Sequence, residues 1–534
     1  LVKDEKSPDL PSRGAARLKL SMRRKRYFQW LARADDADFL TLIWAVRALQ
    51  TGNANVARRY ITFPKEAAMD GILGDHAIFP WELETFVTSL FTTEKVKPRR
   101  GRHHRSNCTT FASIGVLTNL LRDLEGAEYV LMNKPEDIWE EMYRIGQRQF
   151  SWQRGPSTEQ LYRFAYVYGQ GACGEFFEEK NGLSVSDFIL FSLALLGVFF
   201  SKPWTELPDP TNLGLPKAKM EKTLELHSVQ LAQARKMASK LNADSSKRLG
   251  RPLRTAYMAS LLRQKPIVRI DRKVPTYIAP LPLLIMSRAT AGLYYEISQG
   301  PNQLLTEANT RFEEYIRRLL TAYLPELKAV KDGPYGPKGR KVDPPDCLVT
   351  DGDQVALAIE CKTTKLTFEA QYAENPMAVA RQGFEQIAKG IFQLWRFFSH
   401  ARRKLYVTRP VSSDAIGLVL TMDGWMQMAA RLRHTAMKRA EEMAADDANI
   451  TKADMRRVVF ASMQELNDTL AQTERSEFLA VLAHAITDKY DGYGLPEVAR
   501  DCGVSLVRKR YPLDNCALLP WWDNFGSPED RPGN

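Results

Sequence analysis

The sequence predicts a multidomain protein, mainly α-helical in its first half and α/β with a mixed central sheet in its second. Three observations lead there. The chain has 534 residues, enough for roughly two to four ordinary hydrophobic cores. Its apolar residues recur at helical spacing from 36 to about 245. Beyond residue 340, short apolar strands alternate with amphipathic helices.

Composition narrows the function classes. With 44% hydrophobic and 26% charged residues the chain is globular rather than disordered or fibrous. Lys and Arg number 75 against 63 Asp and Glu, giving a net charge of +12 and a pI near 9.2, a surplus that suits a nucleic-acid partner. The six cysteines form no CxxC pair, which argues against a zinc ribbon or a disulfide scaffold and suits a reducing cytoplasm. His103, His104 and Cys108 lie in or beside the basic stretch 95–105 and read as a solvated or phosphate-facing loop rather than a metal site. The most apolar run, 188–200, is flanked by Asp187 and Lys202 and falls short of the ~20 residues of a membrane span, so a buried helix is expected there. No secretory leader is recognisable, and a cytoplasmic protein with no membrane partner is expected.

The elements follow in order. Residues 1–35 form a basic N-terminal arm in which Arg23, Arg24, Lys25 and Arg26 precede Tyr27, Phe28 and Trp30. A helical domain follows over 36–270, a place for regulation or for binding nucleic acid or a partner. Its helices are marked by Phe39, Leu42, Ile43, Val46 and Leu49, by Phe111, Ile114, Leu117 and Leu121, and by Leu224, Val229, Leu231 and Met237. Ser184 or Ser186 can cap the buried helix, and Pro216 suits a first helical turn. From 246 the chain turns basic, and Arg248, Arg251, Arg254, Arg263 and Lys265 are the expected phosphate contacts. Short strands are expected at 267–270 and 277–279, with a boundary near 270.

The region 271–534 carries the chemistry. An amphipathic helix over 302–323 buries Phe312, Tyr315, Ile316, Leu319 and Leu320 and places Glu313 beside Phe312. A glycine- and proline-rich loop leads to Pro345-Asp346, a strand 347–350, the turn Asp351-Gly352-Asp353 and a return strand 354–362. Side chains alternate along a strand, so Val355, Leu357, Ile359 and Cys361 should face one way and Ala356, Ala358, Glu360 and Lys362 the other. The small alanines should leave that second face open, with Asp346 brought close by the hairpin. Two carboxylates beside a lysine make a divalent-cation site: Mg²⁺ takes oxygen ligands and keeps several waters. It would acidify a water and stabilise charge on a phosphate. The lysine can orient water and phosphate or assist proton transfer. A Glu-X-Lys strand end is common by itself. The combination of acidic helix, Pro-Asp, hairpin and apolar strand ending Glu-Cys-Lys points to phosphodiester hydrolysis.

Those residues resemble the PD-(D/E)XK, or restriction-endonuclease-like, superfamily: Phe312-Glu313 on the first helix, Pro345-Asp346, and Glu360-Cys361-Lys362. The resemblance covers about 300–420. It implies an α/β restriction-endonuclease-like domain in which Asp346 and Glu360 bind Mg²⁺ or Mn²⁺ and Lys362 assists catalysis. Glu313 would complete the site, with Glu314 as its rival, and the Cys361 carbonyl would be a further ligand. The next helix, about 377–398, carries Gln382, Gln386, Lys389, Gln393 and Arg396 on one face. Gln386 is assigned to the site and Lys389 to the nucleic acid. Strands are expected at 416–421 and 458–461, a long helix at 423–446, and a capping box at Ser462 and Glu465.

No phosphate-binding P-loop and no dinucleotide fingerprint occurs. The architecture looks like that of bacterial defence or mobile-element effectors. The expected function is therefore a metal-dependent DNA endonuclease of anti-phage defence, acting on double-stranded DNA. It would act as a homo-oligomer or with a subunit supplying NTPase or sensing activity. An RNA-directed nuclease and a non-catalytic nucleic-acid-binding scaffold are the alternatives. A fragment over 271–534 is expected to fold and cut.

Overall fold

The structure is a computed structural model, and it describes residues 13–69, 74–96, 105–131, 146, 148–149, 152, 155–211, 214–363, 365, 372, 380–424 and 430–525. It is a multidomain α/β protein with a mixed sheet in each of two compact units. One unit joins Leu1–Pro135 to Phe191–Ala289, and the other joins Glu136–Leu190 to Thr290–Asn534. A single boundary near 270 was the expectation. Instead the division is interleaved, because segment 136–190 packs with the second unit.

In the first unit, Arg13–Ala32 is a helix and not a free arm. Tyr27 and Leu31 are fully buried, Arg23 donates to the Asp123 carbonyl at 2.8 Å, and Arg24 pairs with Glu128 at 3.4 Å. Tyr27, read from sequence as an aromatic beside a charge run, is thus a core residue. The Asp36–Gln50 helix starts at Asp35, whose carboxylate accepts the N–H groups of Ala37 and Asp38 at 3.0 and 3.2 Å. Its Trp44 donates to the Phe199 carbonyl at 2.6 Å. A small sheet accompanies these helices: β1 (Trp204–Thr205), β2 (Ser228–Gln230), β3 (Ile267–Ile270) and β4 (Thr276–Ile278), in the order β1-β4-β3-β2. The strands expected at 267–270 and 277–279 are present. β1 and β2 are too short to show a period in sequence.

The sheet of the second unit runs β5 (Leu327–Val330), β6 (Cys347–Asp351), β7 (Gln354–Lys362), β8 (Val411–Thr421) and β9 (Val458–Ser462), neighbours in that order. β5, β6 and β7 are antiparallel, whereas β7, β8 and β9 are parallel. The parallel connections carry the helices Arg381–Arg402 and Ala430–Ala445, as crossover connections require. Phe384, Ile387, Ile391, Leu394, Leu432 and Ala436 join Leu348, Val355, Ala358 and Val419 in one buried cluster on one face of the sheet. The Asn302–Tyr323 helix brings a separate buried stripe, Phe312, Tyr315, Ile316, Leu319 and Leu320, to the other face. Ser462 and Glu465 form the expected capping box ahead of Met463–Leu470.

Two expectations for β7 change. The register against β6 shifts at Val349 and Thr350, so Ala356 is an extra, bulged residue. The bulge carries Val355 into the cluster of Ala358, on the face of Glu360, rather than keeping it with Leu357. That face is also not open. The Arg381–Arg402 helix lies on it and Ala358 is fully buried, so the small side chain admits a helix instead of solvent.

Segment 136–190 supplies the Thr158–Tyr168 helix to this unit. Arg163 pairs with Glu159 at 2.7 Å with both side chains almost fully buried. Arg163 also donates to the Met422 carbonyl at 2.7 Å, and the Tyr315 hydroxyl reaches Glu159 at 2.9 Å. Among the described residues no single helix is long and apolar enough to cross a membrane.

Candidate active site

The ladder between β6 and β7 ends at the pair Cys347 and Ile359, which leaves the Cys361 N–H without a strand partner on that side. Asp346, the residue before β6, takes its place: Oδ2 accepts the Cys361 N–H at 2.8 Å. The buried Pro344 and Pro345 fix the extended approach to Asp346. In an extended strand the N–H and C=O of one residue point the same way, so the Cys361 carbonyl also faces Asp346.

Glu360, on the next position of β7, is 2% exposed. Its Oε2 accepts from Lys362 Nζ at 3.1 Å, and the same Nζ donates to Gln393 Oε1 at 3.3 Å. The Lys362 chain crosses the Arg381–Arg402 helix at Gly390, where a Cβ would lie 2.8 Å from Lys362 Cε. The other wall is the Asn302–Tyr323 helix. Asn309, Glu313 and Arg317 form a row at four-residue spacing. Asn309 bonds the Thr363 hydroxyl, Glu313 pairs with Lys331, and Arg317 donates to the Asp346 carbonyl at 3.0 Å. Glu314 instead pairs with Arg318 one turn on. Of the two neighbours, Glu313 is the one beside Asp346.

The electrostatics reflect crowded carboxylates. Burial, and then the charge of Asp346, push the Glu360 carboxyl up to about 8. Burial and Asp346 likewise raise Glu313, against the pull of Lys331. For Lys362, burial works to lower its pKa, but the charges of Glu360 and Asp346 outweigh it and the net shift is upward. Lys362 is therefore a cation at neutral pH, able to donate and neutralise rather than to accept a proton.

Most residues named from sequence fall here. Asp346, Glu360, Lys362, Glu313 and the Cys361 carbonyl come together. Gln386 does not: it lies exposed, two turns before Gln393 on the same helix, and Gln393 takes the place beside Lys362. Gln393 belonged to the polar face read from sequence; the missing signal was Gly390, where the lack of a side chain lets Lys362 reach that helix. Lys389 is exposed next to it. Of the basic residues assigned to phosphates, Arg248 and Arg251 are exposed and Arg254 is half-buried. Arg263 is instead clamped by Glu84 at 2.8 and 3.0 Å, and Lys265 donates to the Leu226 carbonyl at 2.9 Å. Both sets of contacts lie within the first unit. His103 and His104 lie outside the described residues; Cys108 is buried.

Among the described residues no group of three or more His, Cys, Asp or Glu side chains is gathered to hold a metal on its own. The hard-oxygen set that fits a cation is smaller: Asp346, Glu360 and the Cys361 carbonyl, with the remaining positions open to water, as Mg²⁺ prefers. A buried carboxyl whose proton affinity is raised by a neighbouring carboxylate is the chemistry a divalent cation would relieve.

Gly390→Ala separates the site from the fold. The new methyl meets the Lys362 side chain near its end, at Cε, and alanine favours a helix interior by about 1 kcal/mol. Thermal stability should hold or rise slightly, while any activity that uses Lys362 should fall about ten- to a hundredfold. A melt and a rate measured on the same preparation check both. No protein-family model, no curated protein and no solved structure matches the chain.

Proposed function

We propose that the second unit is a metal-dependent nuclease with a restriction-endonuclease-like fold, cutting DNA endonucleolytically in the manner of a bacterial anti-phage effector. One observation carries the reading: the Asp346 carboxylate caps the free Cys361 N–H at 2.8 Å, seating two carboxylates and a charged lysine at one end of one hairpin. The mixed sheet with helices on both faces is the frame that the resemblance implies, and the surplus of basic residues favours a polyanionic substrate.

Each group has a role in that reaction. Asp346 uses Oδ2 on the Cys361 N–H and keeps Oδ1 for a cation. Glu360 gives Oε2 to Lys362 and keeps Oε1. A bound Mg²⁺ or Mn²⁺ would supply Lewis-acid stabilisation of the phosphate and a more acidic water. Lys362 has three N–H donors, two of them held by Glu360 and Gln393, so the third is left for a phosphate oxygen or the attacking water. Glu313, engaged by Lys331, adds negative charge at the rim.

The test is incubation with plasmid, linear duplex DNA and RNA, in Mg²⁺, Mn²⁺ or EDTA. Expected is cleavage of DNA that EDTA stops, that Asp346→Ala abolishes, and that Lys362→Ala lowers about 10²–10³-fold. Cleavage undiminished in purified Asp346→Ala would sink the assignment, and RNA as the only substrate would replace DNA in it.

A further inference from the structure

We infer that the loop between β5 and β6 is a rigid basic finger that grips the phosphate backbone of duplex DNA beside the site; this rests on the nuclease reading and names how that site holds its substrate. Residues 331–341 read Lys-Asp-Gly-Pro-Tyr-Gly-Pro-Lys-Gly-Arg-Lys. The loop closes on itself through a bridge, with Tyr335 N–H to the Val342 carbonyl at 3.0 Å and the return bond at 2.8 Å. Beyond the bridge, Gly336 and Gly339 take φ of 103° and 86°, values that favour glycine and that the tight reversal requires.

Both limbs are fixed: Val342, on the returning limb, packs against the same buried cluster, and the leading limb is held at two residues. Tyr335 is buried in the cluster beneath the Arg381–Arg402 helix, its hydroxyl bonded to His400 Nδ1 at 2.9 Å and its ring edge-on to His400 and Tyr406. Asp332 is held by Arg409 at 3.1 Å and by the Tyr406 hydroxyl. The tip is the opposite. Lys338, Arg340 and Lys341 are exposed, and among the described residues no carboxylate pairs with them.

Three like charges with no carboxylate partner among the described residues repel one another on an anchored loop. Pre-ordering them lowers the entropy cost of binding an anion. From Lys338, the far end of the tip, to Asp346 the chain spans at most about 29 Å, or about eight nucleotides at ~3.4 Å per strand step. The tip therefore reaches phosphates on the same turn of duplex as the bond to be cut. The alternation of cations with glycines suits backbone contact rather than base readout.

The test compares the full chain with the triple variant Lys338→Gln, Arg340→Gln, Lys341→Gln. A control carries Lys217→Gln, Lys236→Gln, Lys240→Gln, exposed lysines of the first unit. Duplex DNA binding is followed by anisotropy against salt in EDTA, and cleavage in Mg²⁺. Expected is a log–log salt slope shallower by about 2–3 for the loop variant alone, affinity down about ten- to a hundredfold, and a cleavage loss lying in KM. An equal change in the control would reduce the effect to net charge and overturn the finger. So would an unchanged slope and KM in a chain that still cuts, which leaves the nuclease reading standing. Loop-dependent binding without cleavage by the parent chain would support the finger and remove the nuclease. A slope change seen with duplex RNA and not with DNA would overturn the choice of partner.

Discussion

On the proposed nuclease function, Glu360→Gln is expected to abolish metal-dependent cleavage and, in the same molecule, to stabilise the metal-free protein at alkaline pH. The second half follows from linkage. The folded carboxyl sits at about 8 against the ordinary 4.5. Below 4.5 both states are protonated and the residue is neutral for stability. Between 4.5 and 8 the unfolded chain gives up a proton that the folded chain keeps, so stability falls as pH rises. Above 8 the full cost of ionising a buried group beside Asp346 is present, on the order of a few kcal/mol. Glutamine has nothing to ionise. Melts in EDTA at pH 5, 6.5 and 8.5 should show the parent losing stability across the range and the variant losing less. Parallel curves would mean that Glu360 is not held as a strained carboxyl. Mg²⁺ held at the proposed site would favour the ionised form, so its stabilising effect on the parent should grow from pH 6.5 to 8.5 and be absent in the variant.

Glu159→Ala should produce the largest loss of stability, about 3–5 kcal/mol, because it strands the buried Arg163 guanidinium without its carboxylate. It also removes the carboxylate acceptor of the Tyr315 hydroxyl, leaving it only the Tyr511 hydroxyl at 3.3 Å among the described residues. The same geometry revises the expectation for a fragment over 271–534. That fragment lacks Tyr162, Phe164, Tyr166 and Tyr168, all buried, at about 1.5–3 kcal/mol each against a typical total stability of about 5–15 kcal/mol. It should show no cooperative melt. Urea denaturation gives the first number and calorimetry of the fragment the second; a sharp transition in the fragment would show that 136–190 is an accessory layer.

Local patterns were legible and long-range ones were not. The Asn302–Tyr323 helix, the hairpin, β8, β9 and the Ser462 capping box rest on periodicity, turn residues and caps that lie within a few positions of one another. Asp346, Glu360 and Lys362 were legible because one hairpin holds them. The bulge at Ala356 was not, since an extra residue in a run of small and apolar side chains leaves no mark on the alternation. Gln393 displaced Gln386 because the choice depends on where Gly390 meets Lys362, a contact between elements. The basic residues of 248–265 divided according to partners far away in sequence: Arg263 found Glu84. The N-terminal arm became a helix for the same reason, as Tyr27 had a core to enter.

The way β7 pairs has a kinetic consequence. Its antiparallel side, toward β6, closes a loop of two residues between Asp351 and Gln354, whereas its parallel side waits on β8 at Val411, after a long crossover. Loop closure of the first kind takes microseconds, and non-local parallel pairing is far slower. The two acidic groups should therefore be pressed together early, while the helix that shelters Lys362 is still undocked. Until that helix arrives water screens their repulsion, and the strain appears only as the second half of the sheet forms. Pulse-labelled hydrogen exchange should find the β6–β7 amides protected ahead of those of β8 and β9. Divalent cation, present from the start, should quicken the late phase and leave the early one alone.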